Sequence, residues 1–154
     1  MSKPVKLEVL IDEMESQFEG YFYYSNRDTG EIVMVGEEIF TKAEDEDPID
    51  GLEDWEQIEY AQATDILEHP SHYLELPDKE EINEYRMMEN FCYSLNDGPT
   101  KERLISAIQG RRAFRRFKDQ VDQLGLRKEW FAFRKNCYRE EALDWCELHG
   151  LEYE

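Results

Sequence analysis

The second half of this sequence is cut into helical lengths by Asn96-Asp97-Gly98-Pro99, Gly110, Gly125 and Gly150. Glycine takes the left-handed conformation that closes a helix, and proline cannot continue one. Between these breaks apolar residues recur at spacings of three and four. Phe114, Phe117, Val121 and Leu124 define one face of a helix over Arg111–Leu124. Trp130, Phe133, Cys137, Tyr138, Trp145 and Leu148 form a broad stripe on a helix over Arg127–His149. A shorter helix runs to Ile108 from Thr100, a residue able to cap it; Arg103 three positions on gives no reciprocal capping box. Before these, Asp78 caps a helix that presents Ile82, Tyr85, Met88, Cys92 and Leu95 on one side.

Strands therefore belong to the front half. Tyr21-Phe-Tyr-Tyr-Ser25 and Glu31-Ile-Val-Met-Val35 flank Asn26-Arg-Asp-Thr-Gly30, a hairpin signal with an Asx-type turn and Gly30 free to take positive φ. Around it we expect a helix over Val5–Phe18 with Pro4 at its first position, and another over Asp54–Glu68 carrying Trp55, Ile58 and Ile66-Leu67. Glu44–Asp54, with Pro48 and Gly51 among like charges, is a solvated acidic connector at about 44–54. His72-Tyr-Leu-Glu-Leu76 supplies a third strand, and the tail after Gly150 frays or adds an edge strand. The fold class is α+β: a small antiparallel sheet (hairpin about 20–36, short strand near 72–76) covered by several helices, with an all-helical C-terminal half. At 154 residues with 40% apolar content, the chain reads as a single domain over 1–154.

Charge narrows the function classes. The net charge is −19, and residues 1–100 hold 27 acidic and 6 basic side chains against 10 and 12 in residues 101–154. Such a field repels nucleic acid and anionic membranes, so any anion-binding surface lies in the C-terminal third. No apolar run approaches a bilayer span, no signal-type segment follows the start, and Ser2 stands where myristoylation needs glycine. A cytoplasmic location without membrane contact is the expectation. Cys92, Cys137 and Cys146 show no CxxC spacing and read as core residues of a reducing compartment.

Two groups of residues stand out as candidate sites. Around the helix of Phe114, a rotation of 100° per residue turns Arg112, Arg115 and Arg116 to the face opposite the apolar one, with Arg111 at its edge. Guanidinium clusters suit phosphate, RNA or an acidic partner. Intrahelical pairing of Arg115 with Asp119 and Lys118 with Asp122 is the structural alternative, and both phenylalanines turn inward, away from any base. On the last helix Arg134 and Glu141, with Tyr138 between them, interrupt the apolar stripe as a buried ion pair or a cleft.

Other groups say less. His69 and His72 beside Glu68 lack the fixed geometry of a metal site, and the acidic connector lacks the ligand spacing of a calcium loop. No nucleophile elbow, phosphate loop, dinucleotide fingerprint or zinc-protease motif occurs. No cofactor, metal or catalytic residue is assigned.

The ordered series Thr29-Gly30-Glu31, Leu76-Pro77, Glu84-Tyr-Arg-Met-Met-Glu-Asn-Phe91, Gly110, Ala113-Phe-Arg-Arg-Phe-Lys-Asp119, Leu124-Gly-Leu126, Trp130-Phe-Ala-Phe-Arg134, Asp144-Trp-Cys146 and Gly150-Leu-Glu152 resembles the bacterial Uncharacterised Protein Family 0158. The resemblance implies a small bacterial cytosolic protein and carries no catalytic residue. The leading expectation is a non-enzymatic interaction or regulatory module, of bacterial or phage origin. It would contact a protein partner through Arg111, Arg112, Arg115 and Arg116, through its acidic half, or through both. The alternatives are an acidic mimic that blocks a nucleic-acid-binding protein, direct RNA binding through the arginine face, and a hydrolase without a recognisable motif.

Overall fold

Tyr21–Asn26 (β1) and Ile32–Gly36 (β2) pair antiparallel, with Tyr21 opposite Gly36 and Ser25 opposite Ile32. One side chain organises the turn: Asn26 Oδ1 accepts the backbone N–H of Asp28 at 2.8 Å and of Thr29 at 3.2 Å. Gly30 sits at φ +74°, and a Cβ there would lie 2.8 Å from Pro4 O, so both the turn and the passing chain require glycine. Tyr73–Glu75 (β3) joins the other edge of β1, giving the antiparallel order β2-β1-β3. The fold is α+β, as its periodicities indicate.

The computed structural model describes residues 3–154, which fall into two compact units: residues up to 78 with 142–154, and residues 79–141. Ser2, on which the lipidation reading falls, lies outside the described residues.

In the first unit the sheet is covered by helices. Alternation along β1 sends Phe22 and Tyr24 to one face, where Glu37–Glu44 (α2) and Asp54–Glu68 (α3) contribute to the core. Phe40 meets Phe22 edge-on at 5.2 Å and stacks with Tyr24 at 6.2 Å, among Val35, Ile39, Ala43, Ala63 and Ile66. The sequence reading missed α2, because Glu37, Glu38 and Glu44 make the segment look like part of the acidic run. Burial of Ile39, Phe40 and Ala43 on one side decides it as helix. The connector that remains, residues 45–53, ends in a capping box: the Glu53 N–H donates to Glu56 Oε1 at 3.1 Å, and the Glu53 carboxylate accepts from the Glu56 backbone.

Leu7–Glu15 (α1) buries Leu7, Leu10, Ile11 and Met14, but Pro4 does not start it. The segment before α1 instead pairs with the C-terminal tail. The Val5 N–H donates to Glu152 O at 2.8 Å and the Glu154 N–H to Val5 O at 2.9 Å, a parallel bridge that keeps the tail off the sheet. Phe18, expected on the apolar face, lies beyond the helix end and is exposed.

The second unit is helical. The continuous helix expected from Asp78 is broken into Lys79–Ile82 (α4) and Glu84–Ser94 (α5) by Asn83 at φ +57°, whose Oδ1 accepts the Arg86 N–H at 3.2 Å. Asparagine tolerates this left-handed conformation and caps the helix that restarts. Pro99–Ala107 (α6) begins on its proline, with Gly98 as cap, so Thr100 lies inside the helix rather than capping it. Ala113–Gln123 (α7) and Arg127–Leu148 (α8) follow, and α8 supplies residues to both units. Phe91, Phe117, Trp130 and Phe133 knit α5, α7 and α8 together edge to face, with Phe117 and Trp130 centroids 4.8 Å apart. Leu148, assigned to the α8 stripe, is 79% exposed because it lies in the last turn.

Candidate functional site

The arginine cluster divides into two classes. Arg111 and Arg112 precede α7, and Arg112 is its N-cap at φ +59°, so neither is a residue of the helix face on which it was placed. Arg111, Arg112 and Arg115 are exposed and form no hydrogen bond or ion pair among the described residues. Arg116 is committed: its Nη1 donates to Gln109 O at 2.9 Å and its Nη2 to Ser106 O at 3.2 Å. These carbonyls lie at and just past the C-terminal end of α6, where Ser106 O also takes the Gln109 N–H at 3.3 Å, so Arg116 caps α6.

The intrahelical pairs expected on this face do not form among the described residues. Asp122 turns instead to Arg127, past the Gly125 turn, and accepts its Nε at 2.9 Å and its Nη2 at 3.1 Å. This bidentate fork is a better match than a single lysine contact. Nor do both rings point inward. α7 buries Ala113, Phe117 and Val121, while Phe114 is 48% exposed and leans on Tyr85 at 6.5 Å. The helix wheel misplaced it because the true buried row starts one residue earlier. A basic corner with one accessible aromatic ring results.

Arg134 and Tyr138 come together on α8, and the carboxylate they share is Glu84, which sequence reasoning missed. Arg134 Nη2 donates to Glu84 Oε1 at 2.6 Å, and the buried Tyr138 hydroxyl donates to the same oxygen. Lys79 Nζ donates to the Tyr138 hydroxyl at 3.0 Å and lies 3.6 Å from Glu84 Oε1. The Arg134 guanidinium also sits 4.9 Å from the Tyr138 ring centre. Burial alone would raise the Glu84 pKa, but the Tyr138 hydroxyl, Arg134 and Lys79 outweigh it and hold the carboxyl below its ordinary value. An ionised carboxylate of this kind accepts hydrogen bonds and orients its neighbours; it does not donate a proton near neutrality. Glu141 is half-buried further along α8. A cavity of about 280 Å³ lined by Lys79, Asn83, Glu84, Tyr85 and Phe114 connects this network to the basic corner. No local pattern points to Glu84, since the Arg134 and Tyr138 donors are 50 and 54 residues away.

Elsewhere, His69 and His72 stack at 5.3 Å and each lies 3.9 Å from a carboxylate, Asp65 and Asp28 respectively. Among the described residues no group of three or more His, Cys, Asp or Glu side chains is placed to hold a metal ion. All three thiols are free, and burial raises the pKa of each, Cys92 to about 11. Among the described residues no helix is long and apolar enough to cross a membrane. Charge separates by unit: the first unit carries 26 acidic and 4 basic side chains, the second 11 and 14.

A family model described as Uncharacterised protein family (UPF0158) matches residues 2–153. No curated protein and no solved structure matches the chain.

Proposed function

The chain belongs to the Uncharacterised protein family (UPF0158), a description that assigns no activity, and from its own residues we propose that it is a bacterial cytosolic interaction module that docks an acidic protein surface on Arg111, Arg112 and Arg115. The observation that carries this reading is that three exposed guanidiniums stay unpaired among the described residues, in a chain with 37 acidic and 18 basic side chains. Phe114 beside them adds an accessible ring, and arginine with aromatic residues is the combination most enriched where binding energy concentrates. Arg116 is outside this surface because it caps α6.

The test is affinity capture from bacterial lysate, at low and high salt, with wild type beside an Arg111→Glu/Arg112→Glu/Arg115→Glu variant. The reading expects a protein retained by wild type and lost from the variant, with thermal unfolding unchanged. An identical set captured by both sinks it. Retention of RNA, together with a gel shift at low salt, would replace the protein partner with nucleic acid.

A second reading rests on the first unit. Trp55 and Ile58 are exposed on α3 next to Glu53, Asp54 and Glu56, in a unit with 26 acidic and 4 basic side chains. An acidic surface with apolar anchors suits the basic groove of a nucleic-acid-binding protein. Trp55→Ala would then release a basic partner whose capture also weakens steeply with salt; salt-insensitive capture excludes mimicry.

A further inference from the structure

We propose that the groove between α6 and α7 is a binding site for a small phosphorylated molecule. The groove has a volume of about 360 Å³ and is lined by Arg103 and Ser106 from α6 and by Arg116, Asp119, Gln120 and Gln123 from α7. That is within the usual size range of small-ligand sites, and larger than a bare phosphate needs.

The way Arg103 is held carries the argument. Its Nη2 donates to Gln120 Oε1 at 2.7 Å and to Gln123 Oε1 at 3.4 Å. A guanidinium has five N–H donors, so Nε keeps one and Nη1 two, and these three meet no acceptor among the described residues. The orienting groups are neutral amides, which leave the positive charge uncompensated. Arg116 is likewise oriented by neutral carbonyls, those of Ser106 and Gln109. Neither arginine forms an ion pair among the described residues, although acidic side chains outnumber basic ones two to one.

Two fixed positive charges therefore line one groove, with the amide N–H groups of Gln120 and Gln123 and the Ser106 hydroxyl as further donors. A carboxylate has too few oxygens to engage this set; the three terminal oxygens of a phosphate monoester match it. Asp119, which only accepts, repels the phosphate and suits a hydroxyl on the ligand's organic part. The distant acidic residues oppose entry weakly, since their field is screened within about 8–10 Å at physiological salt. The proposal does not depend on Arg111, Arg112 or Arg115.

Calorimetric titration of the whole chain at fixed ionic strength, with inorganic phosphate and separately with ribose 5-phosphate, tests it. Both probes should bind saturably. Arg103→Gln, and also Arg103→Lys, which keeps the charge and loses the planar donors held by Gln120 and Gln123, should weaken both by roughly tenfold or more, with thermal unfolding run alongside to show that the variants fold. Lys118→Gln removes the same charge from outside the groove and should change neither. Asp119→Asn should tighten inorganic phosphate and erase any preference for ribose 5-phosphate. The proposal is overturned by no saturable binding of either probe up to about 10 mM, or by equal losses in Arg103→Gln and Lys118→Gln, which would reveal only diffuse charge.

Discussion

Arg134 Nη2 meets Glu84 Oε1 at 2.6 Å, joining α8 to α5 across 50 residues of sequence. Both side chains are about three-quarters buried, so removing one leaves the other charged and poorly solvated. Glu84→Ala should lower the unfolding free energy by about 2–3 kcal/mol. Glu84→Gln combined with Arg134→Gln should cost less than the two single changes added. Urea unfolding of the four proteins measures this, and strict additivity would mean that the contact contributes nothing of its own.

The same carboxyl gives stability a pH dependence whose sign is fixed. Its folded pKa is depressed below the ordinary 4.5 despite burial, through Tyr138, Arg134 and Lys79. The contribution is complete above the unfolded value and is lost as pH falls through the lower, folded one. The stability difference between wild type and Glu84→Gln should therefore be constant near neutrality and shrink below about pH 4.5. A difference that grows on acidification would contradict the assignment.

Periodicity read the hairpin, the third strand and the helical back half because each rests on spacing within a few residues. It failed where a distant contact decided. α2 is helical because Phe40 finds Phe22 and Tyr24 and Ile39 joins the same core, although its charges look like a linker. The break at Asn83 was missed because a helix-compatible apolar pattern continues across it; only the cap bond to the Arg86 N–H marks it. In the candidate site, Arg134 was legible as a polar interruption of an apolar stripe, although it was matched with Glu141 and the structure pairs it with Glu84. Glu84 was not, since nothing near it in sequence distinguishes one glutamate from the rest. The arginine cluster was visible as composition, but its division between a helix cap and an unpaired corner depends on the carbonyls at the end of α6.

Thiol reactivity should follow burial. Cys92 and Cys146 are buried and Cys137 half-buried, and burial raises all three pKa values. With Cys92 at about 11, thiolate is scarce there at neutral pH, and access is closed as well. A disulfide exchange reagent should modify Cys137 first and slowly, and reach Cys92 and Cys146 only on adding denaturant. Rapid modification of all three in the folded protein would refute this.

Gly30 and Gly20 separate backbone strain from steric contact. Gly20 has φ +83° with nothing within 4 Å of a built Cβ, whereas at Gly30 the Cβ would meet Pro4 O at 2.8 Å. Gly20→Ala should cost about 1 kcal/mol for the left-handed conformation, and Gly30→Ala measurably more, since backbone must move. Equal losses in urea unfolding would mean that the Pro4 segment yields freely.

Arg115 and Arg116 are adjacent and carry the same charge, yet only Arg116 holds carbonyls of the preceding helix. Arg116→Ala removes the guanidinium donors from Gln109 O and from Ser106 O, which keeps the Gln109 N–H, and should destabilise by about 1 kcal/mol, the scale of a partly solvated hydrogen-bonded cap. Arg115→Ala, which breaks no hydrogen bond or ion pair among the described residues, should stay within about 0.5 kcal/mol of wild type. The two variants change net charge identically, so the difference between their urea midpoints isolates the cap. Equal midpoints would return Arg116 to the exposed basic surface and make it available, with Arg115, to a partner.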